Sequence, residues 1–133
     1  MIERIEHVGN ILAIIIPADH HDDGIHFYTP GDYSQQLAYM NRPGGYRIEP
    51  HLHRLQSREV RHTQEVLFIR KGKVKVDFYD ESRTFLESRI VSTGDVIMLA
   101  SGGHGFEMME PSEIIEVKQG PYLSDDDKVR FSP

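Results

Sequence analysis

Residues 63–79 read TQEVLFIRKGKVKVDFY, two strand-length runs joined at Lys71-Gly72. From Lys73 the order alternates: Val74, Val76 and Phe78 fall on one face, Lys73, Lys75, Asp77 and Tyr79 on the other. A period of two gives one face to a core and the other to water, as in a half-buried antiparallel strand. The preceding run, Thr63 to Arg70, is rich in Val, Leu, Phe and Ile. The glycine between the runs supplies backbone angles that other residues adopt only at a cost.

The same pattern recurs outward from this hairpin. Strands are predicted at Ile11 to Ile16, Gln35 to Asn41, Tyr46 to His53, Phe85 to Val91, Asp95 to Ala100, Gly105 to Met109 and Glu113 to Gln119. Turn chemistry separates several of them, in Arg42-Pro43-Gly44-Gly45 and Thr93-Gly94-Asp95. Sustained helical periodicity is missing, so the fold class is all-β, a closed or double-sheet architecture. Ala18 to Asp32, with His20, His21, His26, Pro30 and two glycines, reads as a long surface loop. Ser124 followed by three aspartates resembles a helix start, so a short helical turn is expected there.

A chain of 133 residues buries roughly two thirds of its unfolded surface, enough for one core, so a single domain over 1–133 is expected. Fifteen basic and 21 acidic side chains give a net charge of -6, and no basic cluster exceeds Arg70-Lys71-Gly72-Lys73. That argues against a nucleic-acid partner. Six residues, Ile11 to Ile16, form the longest apolar run, too short for a membrane span or signal-peptide core. A soluble, cytoplasmic protein with no membrane partner is therefore expected. There are eight histidines and no cysteine, so any metal must be held by nitrogen and oxygen.

His51 and His53 are one residue apart, which on a strand aims both side chains to the same face. Glu65 opens the next strand, and His104 follows Gly102-Gly103 at the start of a later one. Converging inside a barrel, His51, His53, Glu65 and His104 suit a divalent ion with open positions; Fe, Mn, Ni, Co and Zn are not distinguished. His62 lies three residues before Glu65 and so faces the other way unless a bulge redirects it. Arg47, Glu49 and His51 share a face, and with Gln35 and Tyr39 they are candidates to line a pocket. Arg47 could take a carboxylate or phosphate, and Arg47 and Tyr39 are the candidate substrate-binding residues. Lys118 and Gln119 are read only as the end of the last strand.

At these positions the chain resembles the cupin superfamily. Gly45, His51 and His53, then Glu65 and Gly72, match the ends of the first cupin motif; Gly94 to Leu99 and Gly102-Gly103-His104 match the second. Eleven residues separate His53 from Glu65, where the motif has three or four. Ala100 stands where Pro is frequent, His104 comes one residue early, and Met108 replaces the motif's Asn. The resemblance covers about 35–119. It implies a double-stranded β-helix, or jelly-roll barrel, with a tail over 120–133, and a homodimer. An N-terminal strand apolar on both faces would be protected in such a dimer.

Three functions follow from the resemblance. The first is a metal-binding enzyme acting on a small polar or carbohydrate-like substrate, an isomerase or oxygenase, with His62, Tyr39 and Glu49 undistinguished as a base. The second is a metal-free nucleotide-sugar ketoisomerase or epimerase of surface-polysaccharide biosynthesis, in which His51 or His53 moves the proton. Thr63-Gln64-Glu65 and Gly102 to Phe106 are similar to such small cupins. The third is a non-catalytic sensor or ligand-binding cupin.

Overall fold

The computed structural model describes residues 1–133, apart from the side chains of Asp125 and Asp126. Ten strands follow one another: β1 (Glu3–His7), β2 (Asn10–Ile16), β3 (Gly24–Phe27), β4 (Ala38–Asn41), β5 (Glu65–Lys71), β6 (Lys73–Tyr79), β7 (Phe85–Ser92), β8 (Val96–Leu99), β9 (Gly103–Met108) and β10 (Glu113–Lys118). The helical turn expected near the C-terminus is a single 3₁₀ turn, Ser124–Asp127. All pairings are antiparallel, in a five-stranded sheet ordered β1-β2-β8-β5-β10, a three-stranded sheet ordered β7-β6-β9, and a separate β3-β4 hairpin.

The alternation in 73–79 decides which faces meet. Val74, Val76 and Phe78 are fully buried and pack with Leu67 and Ile69 of β5, Leu12 and Ile15 of β2, Val91 of β7 and Ile97 and Leu99 of β8. Each such side chain contributes about 1.5–3 kcal/mol by leaving water. A second cluster, Ile14, Ile16, Leu37 and Met98, covers the outer face of the larger sheet beneath Tyr28 and Tyr33. Both faces of β2 are thus buried within the chain itself, between β1 and β8. The tail folds back, with the Phe131 ring edge-on to Tyr79 at 5.1 Å.

Three expectations change. Residues 3–7 form a strand, because Val8 and Gly9, both at positive φ, close a two-residue hairpin of the I′ kind onto β2. Residues 24–27, read as surface loop, form β3 because Ile25 to Phe27 pair in register with 38–40. Conversely, Tyr46 to His53 forms no strand, and every residue from 42 to 63 is exposed. Pro50 sits in the middle of that run, where it lacks an N–H for a ladder and restricts Glu49 before it. Without that strand β9 and β10 each have one neighbour, and the sheets do not close into a jelly-roll barrel. Among the described residues no helix is long and apolar enough to cross a membrane.

Candidate functional site

The two sheets meet over a polar end. On β5, Leu67 and Ile69 point into the core, so Glu65, two residues before Leu67, points to the same side at the rim. On β9, His104 stands opposite Phe78 of β6 and continues the inner face of the smaller sheet. His104 Nε2 donates to Glu65 Oε1 at 2.9 Å, a bond that joins the two sheets. Both side chains are largely covered, 12 % exposed for Glu65 and 27 % for His104. Gly102 makes this placement: at φ 73, its position leaves a Cβ only 2.7 Å from the Tyr79 carbonyl oxygen and 2.9 Å from Leu12 Cδ2. Only glycine turns the chain into β9 that tightly.

Glu116 and Lys118 complete the cluster. Lys118 pairs with Glu65 across β5 and β10, and alternation puts Glu116 on the same side. The hydrogen bond from His104 holds the Glu65 carboxyl at about 2, well below its ordinary 4.5, against the opposing effect of burial. Glu116 moves the other way, raised chiefly by its hydrogen bond with Glu65, then by burial and the Glu65 charge. The two neighbouring carboxyls are thus pushed apart, Glu65 down by the bond from His104 and Glu116 up beside it.

Nothing in the local sequence marks Glu116, and Lys118 reads there only as the end of a strand. In EIIEVK the apolar positions Ile115 and Val117 suggest the inward face, yet they are exposed and Ile114, Glu116 and Lys118 share Glu65's side. A register shift between Glu113 and Ile114 accompanies the pairing with β5. A shift of one residue flips every later side chain, and no local pattern records it.

Of the four predicted metal ligands, the structure brings together Glu65 and His104. His51 and His53 lie in the exposed 42–63 segment, rings 5.3 Å apart and nearly perpendicular. His51 Nδ1 donates to the Glu49 carbonyl at 2.8 Å. Among the described residues no group of three or more His, Asp or Glu side chains is close enough to hold one ion. A carboxylate and an imidazole are donors that a divalent ion takes, and holding one between them would replace their hydrogen bond.

The remaining candidates lie elsewhere. Arg47 and Glu49 are in the exposed segment, as is His62. Tyr39 of β4 belongs to a cluster with its ring 4.8 Å from His20, whose Nε2 is 2.9 Å from the Tyr28 hydroxyl. His26 stacks on Tyr28 and lies 3.6 Å from Asp22. His20 and His26 are thus half-buried parts of a packed hairpin, whereas His21 is exposed as expected. Gln35 is half-buried, and its backbone N–H donates to the side chain of buried Gln64 at 3.2 Å.

Comparison with protein-family models, with curated proteins and with solved structures finds no match.

Proposed function

We propose that this chain is a metal-binding cupin that acts on a small polar or carbohydrate-like molecule at the rim between its sheets. The observation that carries the reading is the Glu65–His104 bond, an ionised carboxylate and an imidazole drawn from different sheets onto one point above the core. His51, His53, Glu65 and His104 would hold the ion. The Nδ1 bond of His51 to a backbone carbonyl supports this role, since metal-ligating histidines commonly anchor one ring nitrogen in that way. When bound, a divalent ion supplies Lewis acidity and open positions for substrate oxygens. The protein's own groups do the rest: Glu65 and His104 position each other, Glu116 flanks them with its carboxyl raised, and Leu67 and Phe78 form a dry floor. Arg47, on the segment that carries His51, and Tyr39 are the proposed substrate contacts, and the compartment is the cytoplasm.

Elemental analysis of untagged protein tests this. Near-stoichiometric Fe, Mn, Ni, Co or Zn is expected, lost in His51→Ala and in His104→Ala with unchanged circular dichroism. Metal retained in either variant removes that residue from the set. A homodimer belongs to the same proposal, and a 15.3 kDa species in sedimentation would refute it.

Glu116 favours a second reading, metal-free acid–base catalysis of the nucleotide-sugar ketoisomerase or epimerase kind. Two adjacent carboxyls pushed in opposite directions are the pattern from which acid and base roles are divided within one site. Chelator-treated protein that still turns over a keto-sugar nucleotide would establish this reading and overturn the first.

A further inference from the structure

Segment 42–64 carries five arginines against two glutamates, in a chain whose net charge is -6. Part of it, Arg58 to Thr63, forms one wall of a cleft of about 540 Å³ whose other wall is the end of β10 and the residues that follow. Arg58, Arg61 and His62 line it from one side and Lys118 from the other; among the described lining residues Asp127 is the one acid, and it accepts from Thr63 Oγ1. Arg58 makes no hydrogen bond or ion pair among the described residues. Arg61 bonds Glu59 at 2.8 Å, but with both side chains 75 % exposed that pair is worth under about 1 kcal/mol and yields readily to a better anion. Lys118, which also faces Glu65 and Glu116, is common to this cleft and to the polar rim. Tyr122 stands exposed on the same wall. A larger cleft of about 1060 Å³ is also lined by Arg58, Arg61 and His62, but not by Lys118.

We infer that the cleft between Arg58–His62 and Lys118 binds the phosphate group of a phosphorylated small molecule, a sugar phosphate by size, whose uncharged end reaches the Glu65–His104 pair. Two guanidinium forks with no buried partner match the planar oxygen pairs of a phosphate monoester, and the ammonium of Lys118 adds charge from the opposite wall. A volume of about 540 Å³ is within the usual range for small-molecule sites. The inference rests on the proposed function for the location of the reacting end, and it adds the class of substrate.

Calorimetric titration of the full chain with glucose 1-phosphate, inorganic pyrophosphate, glucose and glucuronate tests it. Saturable binding of glucose 1-phosphate and pyrophosphate is expected, weakening as salt rises, with none for glucose. The doubly substituted Arg58→Gln, Arg61→Gln chain is expected to bind about tenfold or more weakly. The Arg58→Lys, Arg61→Lys chain should recover part of that loss. His21→Ala, at an exposed residue outside the cleft, is expected to keep glucose 1-phosphate affinity within about twofold. No binding of any phosphate, equal affinity in the Gln variant, or glucuronate binding as well as glucose 1-phosphate would each overturn the inference. Phosphate binding lost in His104→Ala but kept in the Gln variant would place the anion at the rim and also overturn it. Phosphate binding by a chain that takes up no metal would leave the inference standing and sink the metal-centre reading, and the reverse outcome would do the opposite.

Discussion

At the scale of single residues, the polar rim is a proton ledger shared by three side chains. His104 lowers the Glu65 carboxyl, and Glu65 in turn raises that of Glu116. His104→Ala removes the largest lowering influence on Glu65 and leaves burial, which pushes upward; its carboxyl midpoint should therefore rise from about 2 toward 4.5. Because the folded-state value lies below the unfolded one, the His104–Glu65 bond stabilises the fold above pH 4.5, and that stability is lost as pH falls toward 2. The variant should thus be destabilised at neutral pH and converge on the parent in strong acid. Carboxyl ¹³C titration and melting curves read both effects; an unchanged Glu65 midpoint would sink the assignment. In Glu65→Gln the Glu116 midpoint should fall back toward 4.5, since its main raising partner is gone.

At the scale of elements, turn geometry and strand breaks set what each run becomes. Val8 holds φ 49 in the β1-β2 turn, a strained value for a β-branched residue. Val8→Asn, giving Asn-Gly in a I′ turn, should stabilise the chain by about 1 kcal/mol in denaturant unfolding. Gly72 has the opposite constraint: at φ 102, an added Cβ would lie 2.2 Å from Ser112 Oγ and 2.6 Å from the Pro111 carbonyl oxygen. Gly72→Ala is expected to cost about 1–3 kcal/mol, and a neutral result would mean that the β5-β6 turn relaxes. The β5-β6 hairpin was legible because period-two alternation and a turn glycine agree. The run from 46 to 53 alternates like a strand, but Pro50 in its middle cannot donate to a ladder and no strand forms. Strand β3 was missed because polar His and Asp neighbours hid a four-residue pairing that β4 alone makes possible.

At the scale of the whole molecule, stability resides in a core that spans both sheets and a second apolar layer under Tyr28 and Tyr33. Ile14 is fully buried in that outer layer, so Ile14→Ala should cost about 2–5 kcal/mol. A loss no larger than that of an exposed Ile, such as Ile48, would show the layer to be loosely packed. The exposed 42–63 segment has no comparable burial, with Leu55 wholly in solvent. Trypsin should cut first at Arg54, Arg58 or Arg61 while β5 to β10 stay intact, because local opening there breaks no core contact.

The residues alone determined the all-β class, the β5-β6 hairpin, the later strands and the nitrogen-and-oxygen character of any metal site, because period-two hydrophobicity, turn glycines and absent cysteines are local properties. They also marked Glu65 and His104. Only the tertiary structure decided that these two meet, that Glu116 and Lys118 join them, and that His51 and His53 lie in a strandless segment. Those outcomes depend on register between strands far apart in the chain and on which way a one-residue shift turns β10.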